Sequence, residues 1–345
     1  MSHPSDEYST QSFESAAAPA TAVAERPQPT PTIREQPVVV TGASGLVGSH
    51  LCSLLVENRW KVRAIVRDTA KAAQRLGHLQ LEIRSGDIRD RESMESAMDG
   101  AGSIVHLAAI AIEKSDESYS STNTDATAVI LDAARSKHVD RLIYMSQNGS
   151  SSSSPYPFLR SKGKAQDMVT GSTLKWTVLK PSVIFGPEDE FVNVLARLVR
   201  LSPVVFPLPG GGTARFQPIA VSDVARAVMR CLEEDDTIGK SFSIGGSTPL
   251  TLRQMTERIL IAMNASRLLV GVPVAAIRPL VGLMQKLLPH PPVTTGLLDL
   301  LAIDNVVDPN DLQRELGINP VPFAPEELLY LKEISFSAAL GSLFR

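Results

Sequence analysis

The stretch Val38-Val39-Val40-Thr41-Gly42-Ala43-Ser44-Gly45-Leu46-Val47-Gly48 decides the fold. Three consecutive valines suit a short strand buried on both faces. Beyond them Val47, Leu51, Leu54 and Leu55 fall on one stripe of a helix. Between strand and helix the glycines recur every third residue, and each has its own duty. Gly42 lets the chain turn off the strand, Gly45 withholds a side chain where a pyrophosphate approaches the backbone, and Gly48 lets the helix pack closely on the sheet. The helix start then offers unpaired N–H groups and partial positive charge to an anion. Thr41, Ser44, Leu46 and Val47 complete this phosphate loop, so the residues point to a bound dinucleotide.

Working outward, short apolar runs alternate with helical periods, the pattern of a parallel sheet covered by helices. Further strands are expected at Val62–Val66, 81–84, 103–107, Arg141–Met145 and 176–179, with helices near Arg91–Met98, 122–134 and 160–170. Six strands with their helices make an α/β Rossmann doubly wound sheet. After Pro181 the alternation loosens. A helix around 191–201 precedes a turn-rich 207–212 and a strand at 216–219. A helix opening at Ser222-Asp223 and a strand at 241–244 follow, and the chain from Thr251 reads as mostly helical. The division expected is an unstructured tail over 1–36, an NAD(P)-binding Rossmann domain over 37–250, with parts of 183–215 contributing to the small domain, and a smaller, mostly helical C-terminal substrate or partner domain over 251–345.

The tip of the second strand should read the adenosine ribose about 20 residues past the loop. It carries Arg67 followed by Asp68. An arginine clamps the 2′-phosphate of NADP, whereas an acid accepts from the 2′-hydroxyl of NAD. Arg67 comes first, which favours NADP(H) over NAD(H); a shift of one residue would reverse the reading. Asp87 and Ile88 close the third strand, where a short acid accepts from the adenine amine. His106-Leu107-Ala108-Ala109 closes the fourth, with small residues where backbone passes the nicotinamide ribose. His106 itself reads as a packing residue before a catalytic one.

These phrases, together with Leu179-Lys180-Pro181-Ser182-Val183-Ile184-Phe185-Gly186-Pro187, resemble the extended or atypical branch of the short-chain dehydrogenase/reductase superfamily, which is NAD-dependent epimerase/dehydratase-like. Phe158-Leu159-Arg160-Ser161-Lys162, Pro207-Leu208-Pro209-Gly210-Gly211-Gly212 and Phe216 through Ala225 are similar to the group holding the NADPH-binding accessory subunit of respiratory complex I and its bacterial relatives. The resemblance spans about residues 37–330. It implies cofactor contacts from Pro181, Val183 and Lys162 as well, and a Tyr-x-x-x-Lys catalytic pair. Four residues apart on a helix, the two side chains share a face, and the ammonium lowers the phenol's pKa and bonds the ribose. Lys162 matches the lysine, but Phe158 stands where the tyrosine belongs and has no proton to give. Tyr156, six residues away and flanked by Pro155 and Pro157, and Ser146, at the position of the assisting serine, are the substitutes. Asn148-Gly149 and the five serines of 150–154 read as a flexible segment at the pocket mouth.

Two functional readings follow. In one, NADP(H) is held firmly, structurally or as a sensor, with redox turnover weak, absent or dependent on a group other than tyrosine, beside a respiratory or quinone complex. In the other, the chain is a working NAD(P)H-dependent reductase or nucleotide-sugar epimerase using Lys162 with Ser146 or Tyr156 on an unknown small-molecule substrate. Composition bounds both. Of 345 residues, 43% are hydrophobic and 21% charged, enough for a sizeable core, and the net charge of -3 argues against nucleic acid as partner. Cys52 and Cys231 lie in helical stretches and read as packing residues in a reducing compartment. The tail sets Asp6, Glu7, Glu14, Glu25 and Glu35 against Arg26 and Arg34, unlike a transit peptide, so a cytoplasmic location is expected. Residues 258–298 hold no acid, while Arg258, Arg267, Arg278 and Lys286 punctuate apolar runs too broken to span a membrane. They read as core and lid of the small domain, or as a surface docking on a protein complex or the inner face of a membrane. No metal-ligand spacing occurs.

Overall fold

The computed structural model describes residues 35–113, 116–288 and 291–343. β1 (Val38–Thr41) is buried along its whole length. Val38 and Val40 pack on one face of the sheet and Val39 on the other, which is why the run holds no polar residue before Thr41. α1 (Leu46–Glu57) returns over the first face, burying Leu51, Cys52 and Leu55. Then come β2 (Val62–Val66), α2 (Thr69–Leu76), β3 (Glu82–Ser85), α3 (Arg91–Met98) and β4 (Ser103–His106). A π-type turn over Ser120–Asp125 runs into α4 (Ala126–Ser136), followed by β5 (Arg141–Met145), α5 (Pro157–Thr170) and β6 (Lys175–Pro181).

Beyond β6 the elements are β7 (Ile184–Phe185), α6 (Val192–Leu201), β8 (Val205–Pro209), β9 (Arg215–Phe216), β10 (Ile219–Ala220), α7 (Val221–Glu233) and β11 (Lys240–Ile244). They are followed by β12 (Leu250–Thr251), α8 (Leu252–Ala262), β13 (Leu268–Val272), α9 (Val274–Leu287), α10 (Thr295–Leu300), α11 (Asp311–Arg314) and α12 (Phe336–Gly341). Seven strands form one parallel sheet in the order β3-β2-β1-β4-β5-β6-β11. The order reverses between β1 and β4, and the crevice beyond their carboxyl ends is where such sheets bind ligands.

One sheet face is covered by α1 and α7 through Leu51, Leu55, Val224 and Val228, the other by α3, α4 and α5 through Met94, Ile130 and Ala165. A separate core gathers Val192, Phe206, Leu252, Met255 and Leu328 from α6, β8, α8 and the segment after α11. Leu312 and Leu316 return to the first core, and Asp311 accepts from the Ser243 amide of β11 at 2.8 Å.

Four expectations are corrected. Residues 207–209 lie in β8 instead of a turn, because β13 pairs with them in parallel from Leu268↔Val205 to Val272↔Pro209. β13 is itself a strand inside a region read as helical; its Leu-Leu-Val-Gly-Val run has a partner only in three dimensions. The strand expected at 216–219 is two, β9 and β10, split at Gln217-Pro218, where proline has no N–H for a ladder. The serine segment after Gly149 is held in bonded turns. Ser154 N donates to Ser151 O at 3.0 Å, and a Cβ on Gly163 of α5 would lie 2.1 Å from the Ser151 carbonyl carbon, so helix and segment are in direct backbone contact. The expected tail falls almost wholly outside the described residues.

Candidate dinucleotide site

Thr41 ends β1 opposite His106 of β4, and the loop after each strand meets the other there. Gly42 has φ +68°, and a Cβ on it would sit 2.9 Å from the Ala108 amide nitrogen. The turn therefore needs glycine twice over, for its left-handed backbone and for the approach of the 107–109 loop. A Cβ on Gly48 would lie 2.2 Å from Gly42 O, so nothing larger fits where α1 passes the loop. Gly45 is different: its backbone is extended (φ -77°, ψ 179°), and the nearest atom to an added Cβ is Gly42 O at 3.2 Å. Gly45 caps α1 with no side-chain acceptor, and no acid stands in the helix's first turn. The free amides at this helix start thus face the cleft without an internal anion, and the cradle fits a pyrophosphate.

At the adenosine end, Arg67 follows β2, as expected, and lines the cleft. It makes an ion pair with buried Glu117. Asp68 is committed elsewhere: as the N-cap of α2 it accepts from Lys71 N at 2.9 Å. Lys71 and Arg75, one turn apart on α2, line the same wall, and Arg75 reaches Glu188 at 2.8 Å. Three cations thus line this end of the cleft, Arg67 and Arg75 each paired with a glutamate. Lys71 and Arg75 escaped the sequence reading because α2 has no long apolar stripe to announce it. Asp87 bonds Arg89 side chain to side chain, which holds its carboxyl below the usual value, and it lies outside the cleft lining with Ile88.

At the other end, Leu107 and Ala109 line the cleft and Ala108 stands behind them against Gly42. Asn123, unnoticed in the sequence, fixes this loop. Its side chain accepts from Ile110 N at 2.8 Å and donates to Ile110 O at 3.0 Å and to Ser161 Oγ at 3.1 Å. His106 is buried with Nδ1 2.8 Å from Thr41 Oγ1 and Nε2 3.3 Å from Thr127 Oγ1; burial first and the Lys162 charge second push its pKa down to about 3. It is a neutral packing residue.

Lys162 is buried on α5. Its Nζ donates to Met145 O at 2.6 Å and lies 4.7 Å from the Tyr144 ring centroid, and burial brings its pKa down to about 7. Ser146 is buried with its Oγ 2.9 Å from Ser150 Oγ. Phe158 lines the cleft, its ring 5.8 Å from that of Tyr119. Tyr156 caps α5 from outside and lines a second cavity of about 250 Å³ with Tyr119, Glu113 and Phe158. Lys162, Ser146, Tyr156, Thr41 and Pro181 are not in the cleft lining; Val183, Gln147 and Ser182 are.

The main cleft has a volume of about 1180 Å³. It begins at the glycine loop and passes Phe158 and Val183 into a chamber between α6, β8, α9 and α10. A sequence profile described as NAD(P)H-binding matches residues 42–235, more than half of the chain.

The chain belongs to the NAD(P)H-binding family.

Among its relatives, the mitochondrial NADH dehydrogenase [ubiquinone] 1 alpha subcomplex subunit 9 of Arabidopsis thaliana is 30% identical over 224 residues, covering 63% of this chain and 56% of that protein. The NADH-ubiquinone oxidoreductase 40 kDa subunit of Neurospora crassa is 23% identical, covering 87% and 80%. The 2-alkyl-3-oxoalkanoate reductase of Stenotrophomonas maltophilia is 25% identical, covering 86% and 99%. The matched stretch thus spans little more than half of the plant relative. A solved UDP-glucuronic acid 4-epimerase from Bacillus cereus, in complex with UDP-glucuronic acid and NAD, shares the fold with a TM-score of 0.66 at 19% identity, covering 86% of this chain and 99% of that one. This NAD(P)H-binding chain is therefore a Rossmann-fold protein, similar in sequence to complex I subunits and a reductase and sharing its fold with an epimerase. Among the described residues no helix is long and apolar enough to cross a membrane.

Proposed function

We propose that this protein binds NADP(H) in preference to NAD(H) and holds it as a structural or sensory group with little redox turnover, beside a respiratory or quinone-handling assembly. Phe158 is the observation that carries the reading. It stands four residues before Lys162 on α5 and lines the cleft with a side chain that has no exchangeable proton. When bound, the nicotinamide supplies a hydride donor or acceptor. The chain's own residues bind and orient: the α1 start takes the pyrophosphate, and Arg67 with Lys71 and Arg75 takes the 2′-phosphate. Lys162, held at Met145 O behind the cleft wall, would supply the ribose contact. A peripheral position is supported by the relatives named as complex I subunits. It is supported too by α9, where Leu280, Leu283 and Leu287 are exposed and Val281 alone is buried, with Lys286 beside them. In this reading the lid region over 258–298 docks on a protein complex at the cytoplasmic face of a membrane.

The test is Phe158→Tyr. If the site lacks only the acid, this variant gains NADPH-dependent carbonyl reduction over the unmodified protein. The continuation of the cleft past Phe158 favours a second reading, a working reductase with Ser146 or Tyr156 as proton source. High turnover in the unmodified protein, abolished by Tyr156→Phe or Ser146→Ala, would establish that reading and overturn the first.

A further inference from the structure

We infer that the chamber beyond the nicotinamide end binds an amphiphile, a molecule with a compact polar head and a long apolar chain. The lining changes character along its length. Its charged side chains are Arg67, Asp68, Lys71, Arg75, Glu188 and Glu190, and Arg75 is paired with Glu188. From Phe191 onward the lining includes no charged residue among the described residues, and the side-chain hydrogen-bonding groups among them are those of Ser202 and Asn305. Such a wall leaves the hydroxyls of a sugar unpaired and suits hydrocarbon.

The helices that build it carry more apolar surface than the fold uses. α6 buries Val192, Ala196 and Val199 in the second core, and that stripe satisfies its packing. Val194 and the partly buried Leu198 also line the chamber, next to Leu195, which belongs to the same core. Opposite them, α9 turns Ile277, Val281 and Met284 inward at spacings of four and three, yet it buries Val281 alone. A helix so apolar and so little packed lacks partners on its chamber side, and a hydrocarbon chain between α6 and α9 supplies them. Where chamber meets cofactor cleft, Gln147, Ser182 and Asn305 form a polar band for the head. The inference uses the dinucleotide reading only to say which end of the ligand meets the nicotinamide; the chamber stands without it.

A polyene fatty acid whose fluorescence rises in apolar surroundings is titrated into the full chain without nucleotide. Saturable enhancement is expected, weakened about tenfold or more by Leu198→Asp and by Met284→Asp, since each loses a buried contact and places a charge against the chain. Both variants should keep the NADPH fluorescence enhancement of the parent, which shows that the fold and the cofactor cleft survive. Displacement by a short-headed isoprenoid quinone or by a 3-oxoacyl amphiphile tells which source supplies the chain. Absence of saturable binding, or equal binding by parent and both variants, overturns the inference. Loss of NADPH binding with chain binding intact would count against the cofactor reading instead.

Discussion

Lys162→Met should change how stability depends on pH. Burial lowers the lysine's pKa from 10.5 to about 7 in the native protein. Between pH 7 and 9 the unfolded chain therefore holds a proton on this side chain that the native protein has largely released. Stability rises with pH wherever the unfolded state binds more protons, by up to about 1.4 kcal/mol per unit. Integrated from pH 7 to 9 with those two pKa values, Lys162 contributes a rise of about 2 kcal/mol. Three other buried groups have shifted pKa values. Burial raises Cys52 and Cys231 to about 12, so they weaken the native state as pH reaches 9, and His106, at about 3, has finished titrating. Both effects are common to parent and variant and cancel in the difference. Urea unfolding of nucleotide-free protein at pH 7, 8 and 9 gives that difference. The stability gap between variant and parent should shift by about 2 kcal/mol in favour of the parent as pH rises. A gap that stays constant would show that Lys162 is solvated and charged throughout, and the geometry around Met145 O would be wrong.

Asn123→Leu should cost about 1–3 kcal/mol in urea unfolding, because it leaves both polar groups of Ile110 without their side-chain partner. Thr251→Ala should cost about 1 kcal/mol by the same assay, since it removes the reciprocal cap of α8 with Gln254. Arg67→Ala should weaken NADPH about tenfold or more in a fluorescence titration and leave NADH nearly unchanged, as a 2′-phosphate contact requires.

The Rossmann half was legible because its signals are local. Three valines, a glycine every third residue and a helical stripe sit within eighteen residues of one another, and β1, β2 and β5 fall where the pattern puts them. The site was legible wherever a strand tip faces the crevice, as at Gly42, Arg67 and Leu107. It was illegible where a residue acts through a distant partner. Asn123 is one asparagine in a helical stretch, and its meaning lies in Ile110 and Ser161, 13 and 38 residues away. β13 failed for the same reason: its apolar run becomes a strand only because β8, some sixty residues earlier, offers an edge. The chamber was hidden too, since a helix stripe that faces a cavity has the same spacing as one that faces a core.

The account stands on the bare amides at the start of α1. Titrating NADPH into the purified chain, alongside Gly45→Asp, tests them most directly. Gly45 has ordinary backbone angles and no neighbour closer than 3.2 Å to an added Cβ, so the variant should fold while setting a carboxylate against the pyrophosphate. Saturable fluorescence enhancement in the parent, tighter for NADPH than for NADH and lost in a folded Gly45→Asp, is the result expected. A parent that binds neither nucleotide, or a variant that binds as the parent does, would contradict the claim.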